Sequence, residues 1–389
     1  MKVRSSYLAF GRPNLSEEEV EAVARVMRSG WVGMGPETIA FEEELTATLG
    51  APNVVTVNSC TSALFLALLV QGVGAGDEVI CPSLTWCSSA NAALYLGARP
   101  VFCDVDPMTL CATPATVSAV ITSRTKAVII VHFGGLAADV EALRDAIPKG
   151  IALIEDAAHA FGAQFPMGRP VGSSGNATCF SFYANKNLSA GDGGAIAIAD
   201  GAKANRIRSL RQHALPTDAW KRFTHPESIR PASRLTELGY KLNFTDLQAA
   251  LARVQLRRQP EFFRRRLAIA RQYKRRLSPF RPAFGLQAGI TSNNHARHLF
   301  TIILPANPLL PSRDELLRAL RTRNIGATIH YAPLHLMPLY KKKPCLLPVT
   351  EHVGSQIMTL PISASMTVAD ADYVCDHLLE LLGRPLIGK

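Results

Sequence analysis

From about residue 50 to 200, short and almost continuously apolar runs alternate with segments of helical length. VVTV at 54–57 precedes a helix expected to start near Thr61, and EVICP precedes SLTWCSSANAALYLG. RPVFCDV, KAVIIVHF and IALIEDAA follow, each separated by a helix-length segment, and CFSFYA and GAIAIA then come close together. Strands that are apolar on both faces and alternate with helices predict a mainly parallel sheet covered on both sides. Ligands of such sheets gather at the C-terminal ends of the strands. Ahead of this region, LSEEEVEAVARVMRSG predicts a helix with Ser16 as cap, acids in its first turn and Gly30 as stop. After about residue 245 the pattern predicts one long basic helix. A mixed portion follows, with strands HLFTIILP and IGATIHYAP. The reading is an α/β protein: a large domain over 1–250 and a smaller C-terminal α/β domain over 251–389, joined by the basic helix.

Composition changes this picture little. The 389 residues are 48% hydrophobic and 19% charged, enough for a large core and two domains. The opening MKVRSSYLAFGRP lacks the apolar region of a signal peptide, and KAVIIVHFGGLAADV is too short and too interrupted to span a bilayer. A cytoplasmic protein is expected, with no membrane span. The eight cysteines form no CxxC pair and read as buried, reduced thiols, so no metal site is expected. The net charge of +11 is concentrated in RRQPEFFRRRLAIARQYKRR around 257–276 and KKK at 341–343. A solvated helix face accounts for it, and attraction of an anionic, phosphorylated substrate is the functional alternative. No recognised nucleic-acid module accompanies the charge.

The chemistry lies at three strand ends. IALIEDAAHAFGA places Glu155 and Asp156 at the end of a buried strand, where a carboxylate needs a cationic or hydrogen-bonding partner. A lone acid there reads as a turn or a helix cap. VTVNSCTSALFLALL runs from strand through a polar turn into helix. Its unpaired N–H groups and hydroxyls, Thr61 and Ser62 among them, form an anion site, although capping by Ser59 or Thr61 explains part of it. SFYANKNLSAGDGG sets Lys186 between two asparagines after an apolar run. A desolvated ammonium loses its proton more easily and becomes a nucleophile toward aldehydes. The GDGG after it is read as allowing backbone to approach a ligand closely. An anion seat, a buried acid and a buried lysine are what pyridoxal 5'-phosphate requires, for its phosphate, its ring nitrogen and its aldehyde. Trp86, after another strand, is placed to stack on the ring, with core packing as the plain alternative.

Many motifs in order then carry a resemblance: SGWVGMGP, FEEELTATLG, VNSCTSAL, GDEVICPSLTW, LGARPVFCDVDPMTL, VHFGG, IEDAAHAFGA, SFYANKN, GDGGAI, GYKLNFTDLQAAL, IHYAPLH and LPIS. Over nearly its whole length the chain resembles the DegT/DnrJ/EryC1/StrS family of PLP-dependent sugar aminotransferases. PSLTW, EDAAHA and GYKLN are most similar to UDP-4-amino-4-deoxy-L-arabinose aminotransferases, which act on a UDP-4-keto-pentose. The resemblance implies the PLP-dependent transferase fold of type I, aspartate aminotransferase-like. It implies a homodimer with two shared sites, acting on an amino-acid donor, L-glutamate, and a nucleotide-linked keto-sugar.

Residue by residue, the resemblance makes Lys186 the lysine that holds the cofactor aldehyde and moves the proton. Asp156 becomes the carboxylate on the pyridine nitrogen and Trp86 the stacking aromatic, with His159 close to the cofactor. Thr61, Ser62 and Ser181 reach the phosphate, and Asn243 reaches the phosphate of the neighbouring subunit's cofactor. Trp31 and Gly33 approach the sugar. His330 and Tyr331 line the sugar pocket, with His330 simply completing a strand as the alternative.

Two departures stand out: Cys60 where relatives carry Gly or Ala, and His213-Ala214 where many carry His-Gly. Relatives that replace the lysine by histidine are sugar dehydratases, so Lys186 argues for transamination. A keto-cyclitol or antibiotic-sugar substrate is the alternative within the same fold. A PLP-binding sensor without turnover is the alternative outside it.

Overall fold

The computed structural model describes residues 2–215, 219–224, 235–280, 282–341 and 345–383. The predicted apolar runs form one seven-stranded sheet, built from β1 (Asn53–Val57), β2 (Glu78–Pro82), β3 (Arg99–Cys103), β4 (Thr125–Val131), β5 (Ala152–Asp156), β6 (Ala177–Ser181) and β7 (Gly194–Ile198). The order across the sheet is β1-β7-β6-β5-β4-β2-β3. Neighbours are parallel from β3 to β6, whereas β7 runs antiparallel to both β6 and β1. The fold is therefore α/β with a mainly parallel, mixed sheet.

The continuity of the apolar runs has a direct cause. Successive strand residues point to opposite faces. Val54, Ile80, Val128 and Ile130 enter one core, and Val55, Val79, Cys81, Ala127 and Ile129 enter the other. Both faces are buried, so both registers must be apolar.

The leading helix is Glu17–Ser29, capped by Ser16 with Glu19 and ended by Gly30 at φ 76°. The expected single basic helix is instead two, Asp246–Arg257 and Gln259–Leu277, broken at Arg258. Pro260 lacks an N–H and its ring excludes the carbonyl four residues earlier, so one helix cannot run through it. Much of the basic charge is paired: Arg257 with Glu18, Arg258 with Glu19, Arg265 with Glu261, and Arg276 with Asp372 and Asp376. Lys342 and Lys343 lie outside the described residues.

A three-stranded antiparallel sheet, β8 (Gly285–Leu286), β9 (Phe300–Ile303) and β10 (Ile357–Leu360), has its own core around Ile269, Tyr273, Ile302 and Met358. HLFTIILP supplies β9. IGATIHYAP forms no strand and makes two isolated bridges, Ile325 to Leu8 and Thr328 to Thr359. Its backbone then leaves the sheet and carries His330 and Tyr331 toward the large sheet.

The two sheets are joined by residues 294–299. Ala137 N–H donates to the Asn294 carbonyl, Ala296 N–H to Gly135 and Leu299 N–H to Gly134. Gly134 and Gly135 permit this approach. Both have positive φ, and a Cβ would lie 2.5 Å from Gln287 Oε1 at the first and 2.8 Å from the His159 carbonyl at the second. Among the described residues, no helix is long and apolar enough to cross a membrane.

Candidate active site

The C-terminal ends of the parallel strands share one edge of the sheet with the start of β7. There, Gly194 lies in register with both Val57 and Ser181. A cavity of about 510 Å³ opens at this edge, and eight of the predicted residues line it: Thr61, Trp86, Asp156, His159, Ser181, Lys186, His330 and Tyr331. Ser62 is turned away and bonds Asn58 Oδ1 at 2.7 Å and Ser59 Oγ at 3.0 Å. Trp31, Gly33 and Asn243 line a different cavity of about 360 Å³, together with His213 and Lys241.

Strand alternation separates the two acids of β5, which the sequence treats as a pair. Glu155 points to the far side. There His132 Nε2–H donates to it at 3.0 Å, and Ser174 and Asn176 also bond it. Asp156 points into the cavity. Ser89 Oγ–H donates to its Oδ2 at 2.7 Å and Ala158 N–H to its Oδ1 at 3.1 Å. Burial nevertheless raises the Asp156 pKa above the usual carboxylate value, because the desolvation outweighs those two bonds. Such a carboxyl is suited to a cationic partner presented from within the cavity.

The other end of the cavity is the start of helix Cys60–Val70. Ser59 caps it, accepting from Ser62 N–H at 3.1 Å. Among the described residues, the Cys60 and Thr61 amides find no acceptor. Two free N–H groups at a helix N-terminus favour an anion. The departure at Cys60 leaves them intact, since its thiol turns back toward the Cys179 carbonyl, 3.6 Å away. Two of the glycines after Lys186 are required by protein packing. A Cβ on Gly194 would lie 2.6 Å from the Ser59 carbonyl carbon and 2.7 Å from the Cys60 nitrogen, and one on Gly193 2.4 Å from the Phe244 ring.

Lys186 projects into this space from the segment between β6 and β7. Its neighbour Asn187 anchors the segment, donating from Nδ2 to the Ala296 carbonyl at 2.8 Å and accepting at its own carbonyl from Gln259 Nε2–H at 2.9 Å. Among the described residues, no carboxylate pairs with the Lys186 amine. Desolvation brings its pKa down to about 8, against the opposing fields of Cys60 and Asp156. The side chain is only half-covered because it stands in a cavity, yet protein surrounds that cavity on most sides.

His159 and Tyr331 are joined through Nε2 and Oη at 3.0 Å, with their rings nearly parallel at 17°. Trp86 is 60% exposed at the mouth, its ring centre 5.9 Å from that of Tyr331. His330 bonds Thr359 through Nδ1 at 3.0 Å and packs on Phe10, and burial draws its pKa down to about 3. It therefore faces the cavity as a neutral ring rather than completing a strand.

His298 is among the lining residues that sequence reasoning missed. His298 lies 3.4 Å from Lys186 Nζ through Nε2 and stacks on His159 at 4.6 Å. It stands just before β9, at the head of the apolar run HLFTIILP, and a histidine opening a buried strand was the available signal.

At the second departure, His213 and Ala214 both have positive φ, 64° and 56°. Ala214 thus holds the left-handed backbone that the His-Gly of relatives adopts more cheaply.

A lysine without a carboxylate partner, a buried acid lacking a cation and two free amides at a helix start fit pyridoxal phosphate.

The DegT/DnrJ/EryC1/StrS aminotransferase family model matches residues 13–379. Among solved structures, the aminotransferase TlmJ from Streptoalloteichus hindustanus is 35% identical, with a TM-score of 0.87 over 97% of this chain and 99% of that one. Spr1654 from Streptococcus pneumoniae, solved in a PLP-form, is 27% identical, with a TM-score of 0.87 over 97% of this chain and 99% of that one. DesI, solved in the presence of its TDP-sugar product, is 28% identical, with a TM-score of 0.86 over 98% of this chain and 95% of that one.

Proposed function

The chain belongs to the DegT/DnrJ/EryC1/StrS aminotransferase family of PLP-dependent sugar aminotransferases, and on that premise we propose that it moves an amino group from L-glutamate to a nucleotide-linked keto-sugar in two half-reactions. The observation that carries this reading is one cavity holding both a Lys186 amine near pKa 8, which no carboxylate pairs with among the described residues, and the buried acid Asp156. Bound pyridoxal phosphate supplies an aldehyde and an electron-withdrawing ring that makes the neighbouring C–H bond acidic.

The chain's own residues do the rest. Lys186 holds the cofactor at rest. Once free, its Nζ takes the proton from the α-carbon of the donor and returns it. An amine with a pKa near neutrality suits both directions. Asp156, oriented by Ser89 and the Ala158 amide, keeps the ring nitrogen protonated. The Cys60 and Thr61 amides and the Thr61 and Ser181 hydroxyls receive the phosphate. His159, fixed by Tyr331, and Trp86 at the mouth would hold the ring. In the second half-reaction the keto-sugar accepts the amine by the reverse path.

The likeness of PSLTW, EDAAHA and GYKLN to UDP-4-amino-4-deoxy-L-arabinose aminotransferases supports a UDP-4-keto-pentose as the acceptor. The TDP-sugar bound to DesI supports a nucleotide sugar more generally. That Trp31, Gly33 and Asn243 line a cavity other than that of Lys186 supports a homodimer in which each chain serves its neighbour's site.

The test begins with the visible spectrum of the PLP-loaded protein. L-Glutamate is expected to bleach the cofactor band, and keto-sugar nucleotides, but not keto-cyclitols, to restore it. Lys186→Ala is expected to lose steady-state turnover by at least about a thousandfold. A band that persists with every donor would leave a binding protein without turnover, and turnover in the alanine variant would remove Lys186 from the chemistry.

A further inference from the structure

His298 is delivered to the cavity from the side of the small sheet, as His330 and Tyr331 are, whereas Asp156 and Ser181 come from the large sheet. The backbone position of His298 is set from both sides. Leu299 N–H reaches the Gly134 carbonyl at 3.0 Å, and the buried Arg266 donates from Nη1 to the Arg297 carbonyl at 3.2 Å. Its ring is stacked on His159 and met edge-on by Phe10 at 6.5 Å. Only 3% of the residue is exposed. An imidazole held this firmly has two nitrogens to account for. Nε2 lies 3.4 Å from Lys186 Nζ, and among the described residues it is the one side-chain partner of that amine. Nδ1 is buried and, among the described residues, has no partner.

The unpartnered Nδ1 decides the tautomer. A buried N–H with no acceptor is more costly than a buried ring nitrogen with a bare lone pair. The ring therefore carries its proton on Nε2, facing Lys186. An N–H there is satisfied by the lone pair of an uncharged amine, whereas an ammonium offers it nothing but another donor. We propose that His298 is a positioning residue for Lys186, donating its Nε2–H to the lone pair of the amine and so favouring its uncharged form and aiming it into the cavity.

The surroundings agree. The charged and titratable groups around the two side chains are Asp156 at the end of β5, Cys60 at the start of helix Cys60–Val70, His159 and His330 on the cavity wall, and Arg266. Burial, the first cause, and the Arg266 cation hold His298 itself far below the usual imidazole range, so it stays neutral and cannot repel the amine by charge.

The inference rests on the reading of Lys186 as the residue that captures the cofactor aldehyde. The experiment follows the rate at which the full-length apoprotein captures pyridoxal phosphate, by absorbance, as a function of pH. The wild type is expected to show a midpoint set by Lys186. In His298→Phe the amine loses the donor that favours its uncharged form, so the midpoint should rise by about one pH unit. His298→Gln, whose amide donates from about the same place, should return it to the wild-type value. Should His298→Phe yield no folded protein, His298→Leu carries the same expectation. A purely structural role would lower stability in these variants and leave the midpoint where it was. An unchanged midpoint, or one that falls because the ring had been accepting from an ammonium, overturns the proposal. A wild-type protein that captures no pyridoxal phosphate counts instead against the reading of Lys186 itself.

Discussion

At Lys186, desolvation lowers the pKa to about 8 from 10.5, while the fields of Asp156 and Cys60 act in the opposite direction. The sign of the consequence can be worked out. Between these two values the unfolded chain holds a proton that the folded chain has released, so stability rises with pH across that window. Below pH 8 the folded protein carries the full cost of a buried charge. Lys186→Met removes that cost. The methionine apoprotein is expected to melt above the wild type at pH 7, with the gap closing by about pH 10.5. Thermal melts at the two pH values measure it, and an equal gap at both would mean that the amine is not desolvated. The proposed reaction needs the lysine all the same, because it uses the poised amine.

Single elements are held by groups far away in sequence. The start of helix Pro36–Leu49 has no cap of its own, since Gly35 stands at that position. Asp246, first residue of helix Asp246–Arg257, supplies the cap from outside. Its carboxylate accepts from the N–H groups of Gly35, Glu37 and Thr38 and from the Thr38 hydroxyl, and its own N–H donates to the Gly33 carbonyl. One buried acid thus fixes both the helix start and the Trp31–Gly35 turn before it. Asp246→Ala leaves three buried donors unpaired and is expected to cost about 3 kcal/mol. Urea unfolding reads the loss, and hydrogen exchange at residues 31–38 should quicken more than elsewhere. A cost within error of zero would mean that water replaces the carboxylate.

Across the whole molecule, the joint between the two sheets decides whether the site is complete. Gln287, beside β8, donates to the carbonyls of Thr109 and Phe133 at 2.8 Å each, and its Oε1 accepts from His295 Nε2 at 3.0 Å. His295 in turn accepts the Arg297 N–H, one residue before His298. Gln287→Ala breaks two buried bonds and one half-buried bond at that joint. A stability loss of about 2–3 kcal/mol is expected, with faster hydrogen exchange across residues 294–299. If exchange quickens only beside residue 287, the joint is local and does not set the position of His298.

The apolar runs and their spacing determined the large sheet, because strands covered on both faces leave no polar register to misread. The same runs placed Lys186, Asp156 and Thr61 at strand ends, and any parallel sheet brings its strand ends to one edge. Ser16 and Gly30 marked their helix locally, since capping is decided within a few residues. Other features depended on partners remote in the chain. Pro260 breaks the basic helix, a stop that was visible in the sequence but outweighed by the run of basic residues. Glu155 and Asp156 look equivalent until strand alternation sends them to opposite faces. Gly193 and Gly194 are glycines because Phe244 and the Ser59–Cys60 turn press against them. His298 reaches Lys186 only because Gly134 and Gly135 let a segment of more than 160 residues later lie against them. Local pattern carries what neighbours in sequence decide, and only the folded chain brings together groups whose meaning depends on what is packed beside them.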